Sequence, residues 1–378
     1  MSLKLFVSCS FGLEEVLLNE LQSFGYLKSR KGYLGVHLEV PNFEAIYRIN
    51  YLSRIAARVL LPLTDFFCYD QKGLYKGASK VDWANYIKPG KTIAIDANVN
   101  HKHLRNSLFA AQVVKDAICD QLREKRGFRP DIDVKYPDVQ LNLFIHENAC
   151  IISFDTSGSP LYKRGYRQET VEAPLQESLA AGLLMLAGYK GDEVLYDPCC
   201  GSGTFLIEAA LIATNTAPGF LRKKWGFSSL PEFSEEAWIK TKAEIDQKRI
   251  PLSNHKIFGS DLNKTSLFAC KLNLKAAGFL QEIEVSQGDV KEIRPPVAPN
   301  FIITNPPYGK RLEGQEAYLQ NLYRAIGEFM KTKAEKPAKG FVFTGSLELA
   351  KQVGLASKKR HILNNGGIDS RFLEFDLY

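Results

Sequence analysis

Between Leu3 and Ser8, apolar and polar residues alternate with the period of a half-buried strand. Leu13, Val16, Leu17 and Leu21 then recur at helical spacing through Leu13–Ser23, and alternation returns over Leu34–Val40. Asn42, after Pro41, opens a helix that runs to Ile49, and Arg54, Ile55, Val59, Leu60 and Leu61 lead into another strand. Strands alternating with short helices predict a small α/β module. A second module follows: a strand over Thr92–Val99, then a long amphipathic helix over Leu104–Arg126 with Phe109, Val113, Ala117 and Leu122 on one face. Val139–Ile145 and Ala149–Asp155 read as a hairpin turning at His146-Glu147-Asn148.

After about residue 165 the pattern changes to strand, loop, helix, repeated. The strands fall at Glu193–Cys199, Lys256–Leu262, Ile283–Asp289, Phe301–Asn305 and Gly340–Thr344, with helices from Thr204, Lys264, Gln315 and Leu347. Short apolar strands separated by helices predict a parallel, doubly wound sheet. Arg360–Leu363 and Arg371–Leu377 flank Asn364-Asn365-Gly366-Gly367, so a hairpin closes that sheet with an antiparallel final strand. The boundary between the halves falls near Tyr162–Thr170.

Composition narrows the function classes. The 378 residues are 45% hydrophobic and 24% charged, an ordinary globular balance that supports a large core without staples. The seven cysteines are scattered apart from the adjacent Cys199-Cys200, which lacks zinc-ligand spacing, so reduced thiols in a cytosol are expected and no metal. The longest apolar stretch, Leu179–Tyr189, is far short of the ~20 residues of a membrane span. Net charge is +7, and residues 1–165 hold 22 Lys/Arg against 17 Asp/Glu, which permits a polyanionic partner. Lys102, Arg105, Lys115, Arg123, Lys125, Arg126 and Arg129 gather on and around the long helix, as either a solvated or a phosphate-contacting face. Arg222, Lys223 and Lys224 with Trp225 and Phe227, and Lys310 with Arg311, mix cations and aromatics beside the expected site, or form a solvated loop with an apolar anchor.

Four places carry chemistry. In DPCCGSGT, Asp197–Thr204, a strand ends at the acid, Gly201 and Gly203 make a tight turn, and a helix begins at Gly203 or Thr204. Leu206 stands where a dinucleotide fingerprint needs its third glycine, and no lysine supplies a P-loop. That disfavours a dehydrogenase. Asp261 ends the second strand, placed to bind ribose hydroxyls or to cap the helix after it; it follows Gly203 by 58 residues because Pro218–His255 is inserted. Asp289 ends the third strand, where an acid accepts from an adenine amine or stands in a loop. NPPYGKR, Asn305–Arg311, follows the fourth strand. Its prolines fix φ and leave carbonyls free, Asn305 offers an amide oxygen, and Tyr308 offers a ring. An exocyclic amine of a nucleobase is a poor nucleophile, and two acceptors holding its hydrogens stabilise the charge that develops as it attacks.

DPCCGSGT and NPPYG, in this order on this sheet, resemble motifs I and IV of class I S-adenosylmethionine (SAM) methyltransferases acting on amines. Upstream, the run from Asn106 to Ile145 is similar to the THUMP RNA-binding domain. Ser157–Leu184 resembles the joint between THUMP and catalytic domains in bacterial 23S rRNA guanine-N2 methyltransferases. The resemblance implies a ferredoxin-like segment over 1–60, THUMP over 61–165 and one seven-stranded Rossmann-like methyltransferase domain over 166–378. It implies cofactor contacts from Asp197, Cys199, Gly201, Gly203, Thr204, Asp261, Leu262, Asp289 and Val290, and target-base contacts from Asn305, Pro306 and Tyr308. RNA contacts are expected from Lys115, Arg123, Arg126, Arg129, Lys163, Arg164, Arg167, Lys310 and Arg311. The expected activity is methyl transfer to guanine N2 in structured RNA, 23S rRNA foremost. The alternatives are adenine N6 in DNA or RNA, guanine N2 in tRNA, and a non-catalytic RNA-binding or ribosome-assembly factor.

Overall fold

A computed structural model describes residues 2–169, 175–253, 256–308 and 314–378. The chain forms two compact units. The first takes Met1–Ser8, Glu20–Leu161 and Arg222–Ala243; the second takes Cys9–Asn19, Tyr162–Leu221 and Glu244–Tyr378. The helices in chain order are α1 (Glu14–Ser23), α2 (Glu44–Leu52), α3 (Gln71–Ala78), α4 (Ser107–Arg126), α5 (Glu177–Leu186), α6 (Thr204–Ala213), α7 (Glu235–Asp246), α8 (Lys264–Ala277), α9 (Glu316–Lys333) and α10 (Leu347–Gln352). Among the described residues no helix is long and apolar enough to cross a membrane.

The first unit is built on an eight-stranded sheet. Its strands are β1 (Leu3–Ser8), β2 (Ser29–Gly32), β3 (Gly35–Val40), β4 (Arg58–Phe67), β5 (Thr92–Asn100), β6 (Asp131–Ile132), β7 (Val139–His146) and β8 (Ala149–Asp155). Their order is β2-β3-β1-β4-β8-β7-β5-β6, antiparallel except for β5 with β7 and with β6. The expected hairpin is present, with Glu147 in its turn at φ 53°.

Helix α4 shows why a basic cluster need not be a binding face. The Asn106 side chain caps its start by accepting from the Phe109 amide, and Gly127, at φ 71°, ends it. Arg123, Lys125 and Arg126 fill its last turn, where cations offset the helix dipole. Lys125 pairs with Asp82, Arg123 with Asp120 and Lys115 with Asp116.

Within the first unit, Trp225 and Phe227 of the aromatic and basic run form a buried apolar anchor, and Lys223 and Lys224 beside them are exposed. Trp225 and Phe227 stack at 5.4 Å and pack against Tyr47, Tyr51 and Trp238. The Arg222 guanidinium lies 4.9 Å from the Trp225 ring and donates to the carbonyls of Ser157, Ser159 and Pro160.

The second unit holds a seven-stranded sheet of β9 (Leu195–Asp197), β10 (Ile257–Asp261), β11 (Glu284–Gln287), β12 (Phe301–Thr304), β13 (Ala338–Thr344), β14 (Lys359–Asn365) and β15 (Ile368–Leu377). The order is β11-β10-β9-β12-β13-β15-β14, and β15 runs antiparallel to both its neighbours. The first of the expected strands is shorter than its apolar run. Glu193 turns back to accept from the amides of Lys190 and Gly191, and the Cys199 amide is taken by Asp197.

Every residue of β9 and β12 is buried, as a central parallel strand covered on both faces requires. Helix α6 is apolar all round and lies inside the unit. Helix α9 is amphipathic and turns Leu319, Tyr323, Ile326 and Met330 inward against Tyr196, Ile302, Val342 and Phe375. Each such side chain stabilises the fold by about 1.5–3 kcal/mol.

Candidate active site

Strands β11, β10, β9 and β12 are parallel neighbours, so their C-terminal ends line one edge of the sheet. Chain order reverses at β9, with β10 and β11 laid down on one side and β12 on the other. That reversal opens a crevice at the carboxyl ends. The adjacency brings Asp197, Asp261, Asp289 and Asn305 to one edge, since Ile302 pairs with Tyr196, Gly259 with Asp197 and Asp261 with Gln287.

The glycine turn is held from both sides. Asp197 Oδ1 accepts from the Cys199 amide at 3.0 Å, and the Ser260 carbonyl accepts from the Cys200 amide at 2.9 Å. Gly201 and Gly203 have φ of 53° and 82°. A Cβ at Gly203 would stand 2.6 Å from Cys270 Sγ, so that position is closed to any side chain. Helix α6 starts at Thr204 with Gly203 as its cap and no side chain over its first amides.

Asp261 accepts from the Gly201 amide at 2.9 Å and from the Asn263 amide at 2.8 Å. It does not cap the next helix; Asn263 does, accepting from the Thr265 amide at 2.8 Å. Asp261 therefore ties the second strand to the glycine turn. Leu262 beside it is 51% exposed, whereas Val290 is buried in the core cluster. Asp289 is half-buried and accepts from the Lys291 amide at 2.9 Å.

The electrostatics suit a cation. Burial pushes the Asp197 carboxyl up to about 7, and the nearby Asp261 charge adds to the rise. Burial likewise raises Asp261. Burial raises the Tyr318 phenol of α9, and Cys199, Asp289 and Asp261 add to the rise. An open helix N-terminus and two side-chain-free glycines fit an amino-acid carboxylate, and the crowded carboxyls fit a sulfonium and an ammonium.

Asn305 follows β12 directly. Its Oδ1 is buried and has no hydrogen-bond partner among the described residues. Pro306 is buried and Pro307 exposed. The Tyr308 hydroxyl accepts from Asn365 Nδ2 at 2.9 Å, and its ring lies so close to Gly345 that a Cβ there would come within 2.6 Å. The ring is thus fixed by β14 and by the loop after β13. Lys310 and Arg311 lie outside the described residues.

Two of the arginines expected to meet RNA have other work. Arg164 is 2% exposed and pairs with the fully buried Glu208 of α6 at 3.5 Å; Tyr166 donates to the same carboxylate at 3.0 Å. Arg167 donates to Glu177 at 2.8 Å, to the Leu175 carbonyl at 2.9 Å, and to the hydroxyls of Ser202 and Thr204 at 3.1 Å. Asn273 of α8 accepts from the amides of Gln168 and Glu169 and donates to the Ser202 carbonyl. Arg167, Gln168 and Glu169 are therefore tied to the glycine turn directly and through Asn273. Lys163, Arg123, Arg126 and Arg129 are exposed, and Lys115 is half-buried. Sequence reasoning missed Asn273, Tyr318 and Asn365 in this site. Of these only Asn365 carried a local signal, in the Asn-Asn-Gly-Gly turn.

A seven-stranded sheet with one antiparallel strand, a glycine turn after β9 in its β11-β10-β9-β12 half, and Asn-Pro-Pro-Tyr after β12 define a class I SAM-dependent methyltransferase. The chain belongs to the family described as RMKL-like, methyltransferase domain, whose model matches residues 164–373. A THUMP domain matches residues 68–155, and an RlmL ferredoxin-like domain matches residues 4–60.

A Synechocystis protein provisionally named RNA methyltransferase slr0064 is 36% identical over 99% of this chain and 96% of its own length. The ribosomal RNA large subunit methyltransferase K/L of Vibrio campbellii is 38% identical over 95% of this chain and 51% of its own. The chain spans about half the length of the K/L relatives it matches. The structure of SMU.472, provisionally described as a methyltransferase and complexed with S-adenosylhomocysteine (SAH), matches with a TM-score of 0.88 and 26% identity, covering 100% of this chain and 98% of that one. The cofactor is SAM.

A pH dependence follows. SAM carries a sulfonium and an ammonium against one carboxylate, so it prefers the ionised form of Asp197. Binding lowers the carboxyl pKa and releases a proton. SAM affinity should be full above about pH 7 and fall by up to about tenfold per pH unit toward pH 5. SAH lacks the sulfonium charge and should show the weaker dependence. Calorimetric titrations of both between pH 5.5 and 8.5 check this; parallel profiles would remove Asp197 from the cofactor's field.

Proposed function

We propose that this chain methylates the exocyclic N2 of a guanine in structured RNA, with 23S rRNA as the RNA, in the cytoplasm. The observation that carries the reading is the buried Asn305 Oδ1, unpartnered among the described residues, at the sheet edge that also holds the glycine turn. A buried acceptor left unpaired costs about 1–3 kcal/mol, and an incoming amine hydrogen removes that cost. The THUMP match and the K/L relatives support RNA as the substrate class. The likeness of the Ser157–Leu184 joint to guanine-N2 enzymes supports the choice of amine. A division into 1–60, 61–165 and 166–378 places RNA capture ahead of chemistry in the chain.

SAM, when bound, supplies an electrophilic methyl carbon. Asp197, the glycine turn and Asp261 would hold and orient that ligand, with Cys199, Thr204, Leu262, Asp289 and Val290 as the further residues expected to line it. Asn305 Oδ1 and the Pro306 carbonyl accept the two amine hydrogens and stabilise the positive charge forming on nitrogen. Tyr308, fixed by Asn365 and Gly345, gives the unstacked base a flat wall. With that donor, C–N bond formation would be matched by S–C bond cleavage, and the amine proton would leave to water. Bringing the two reactants together supplies much of the acceleration.

Incubation with SAM and ribosome-free 23S rRNA, bulk tRNA or DNA, followed by mass spectrometry of the nucleosides, should give N2-methylguanosine from 23S rRNA. N6-methyladenosine would replace this reading with adenine chemistry, and the same guanosine from tRNA alone would move the substrate.

A further inference from the structure

The first unit leaves one face of its sheet lined with exposed rings. Residues alternate between faces along a strand, and the register places Asn98, Phe144, Ile151 and Asp65 in one row across β5, β7, β8 and β4. Asn100, His146, Ala149 and Phe67 form the next row. The residues between them, such as Ile145, Cys150, Ile152 and Phe66, point the other way, toward the helices; the Phe66 ring lies directly on Gly77 of α3.

Phe144 is 37% exposed and Phe67 74%, and His146 is exposed beside them. The ring planes of Phe144 and His146 differ by only 7°, with centroids 6.4 Å apart. Single exposed apolar residues are common on any surface, but here Phe144 and His146 stand two residues apart on β7 and Phe67 stands across the small Ala149 of β8 from His146, so three rings share one face. Asn98 and Asn100 flank it, with Asn142 one pair up β7. Beyond β5 the chain carries exposed Lys102, His103 and Arg105. That loop is set by His101 Nδ1, which accepts from the amides of His103 and Leu104 at 3.0 and 2.9 Å. Of the acids on and beside this face, Asp96 and Asp155 both pair with Arg58, Asp65 lies on the side away from the basic loop, and exposed Glu147 stands in the turn after His146.

Flat rings, side-chain amides and a cationic border are what unpaired nucleotides require: stacking surfaces, edge hydrogen bonds and phosphate attraction. We propose that this face is a platform on which single-stranded bases of the RNA substrate stack, with Lys102 and Arg105 drawing the backbone along its β5 border. The proposal rests on the RNA reading above and names the form of RNA held. It also separates two surfaces. Arg126 and Arg129 adjoin the start of β5, where β6 pairs with Thr92 and Ile93. The platform lies at the strand's other end, roughly 20 Å away at ~3.3 Å per residue.

The test is fluorescence anisotropy of the full chain with a labelled 12-nucleotide single-stranded RNA and with the same RNA in duplex. The double variant F67A/F144A should bind the single strand at least about tenfold more weakly, with duplex affinity and SAH affinity unchanged. F67W/F144W should bind it as well as wild type or better. Single-strand affinity unchanged in F67A/F144A overturns the platform, as does equal loss for duplex and single strand. Wild-type affinity in F67L/F144L overturns it too, because leucine keeps the apolar area and loses the ring. Failure of the wild-type chain to bind either RNA would instead sink the RNA reading itself.

Discussion

Asn305→Ala should lower kcat for methyl transfer by about 100- to 1,000-fold while SAH binds as before. The expectation comes from what the side chain lacks. Its Oδ1 is buried with no hydrogen-bond partner among the described residues, and folding alone gains nothing from leaving an acceptor in that state. Truncation removes an unpaired acceptor, so the melting temperature should hold or rise slightly. A residue kept for packing would behave in the opposite way, losing stability and retaining turnover. Asn305→Asp preserves an acceptor oxygen and should recover part of the lost rate. Single-turnover kinetics with saturating SAM, beside calorimetry with SAH, separate these outcomes. Alanine turnover within threefold of wild type would detach Asn305 from the reaction.

The parts of this site that were legible in the sequence are those fixed by backbone geometry. Asp-x-x-x-Gly-x-Gly after an apolar run marks a strand, a tight turn and a helix start, because few residues other than glycine adopt φ of 53° and 82°. Asn-Pro-Pro-Tyr after a fully buried strand is legible for a similar reason. Long-range pairing was not. Gly201 is 60 residues from the carboxylate that accepts its amide proton, and Tyr47 meets Phe227 across 180 positions. The alternation in β7 announces a half-exposed strand, but only the register with β5, β8 and β4 shows that Phe144, His146 and Phe67 share a face.

Basic residues were the least legible. An arginine on a surface and one inside an ion pair leave the same letter in the sequence. The informative letter for Arg164 lay elsewhere: Glu208 stands in TFLIEAALIA, a helix apolar on every side, and a carboxylate buried there demands a cationic partner. Read that way, the acid announces the arginine, and the joint segment becomes a brace for the glycine turn.

That reading has a large consequence for stability. Arg164→Ala leaves the Glu208 carboxylate, 0% exposed, with the Tyr166 hydroxyl but without its guanidinium. Breaking one side of a buried pair costs about 3–5 kcal/mol, which lowers the melting temperature of a unit this size by roughly 6–20 °C. Arg123→Ala, on the exposed end of α4, should melt within about 4 °C of wild type, since surface pairs contribute about 0–1 kcal/mol. The paired change Arg164→Met with Glu208→Leu should recover most of the loss, because it removes the stranded charge as well as its partner. RNA affinity of the folded protein should follow Arg123 and not Arg164. Differential scanning calorimetry of the three variants decides the matter: if Arg164→Ala melts with the wild type, the brace is not held by this pair, and the arginine is available for the RNA contact its sequence neighbourhood suggested.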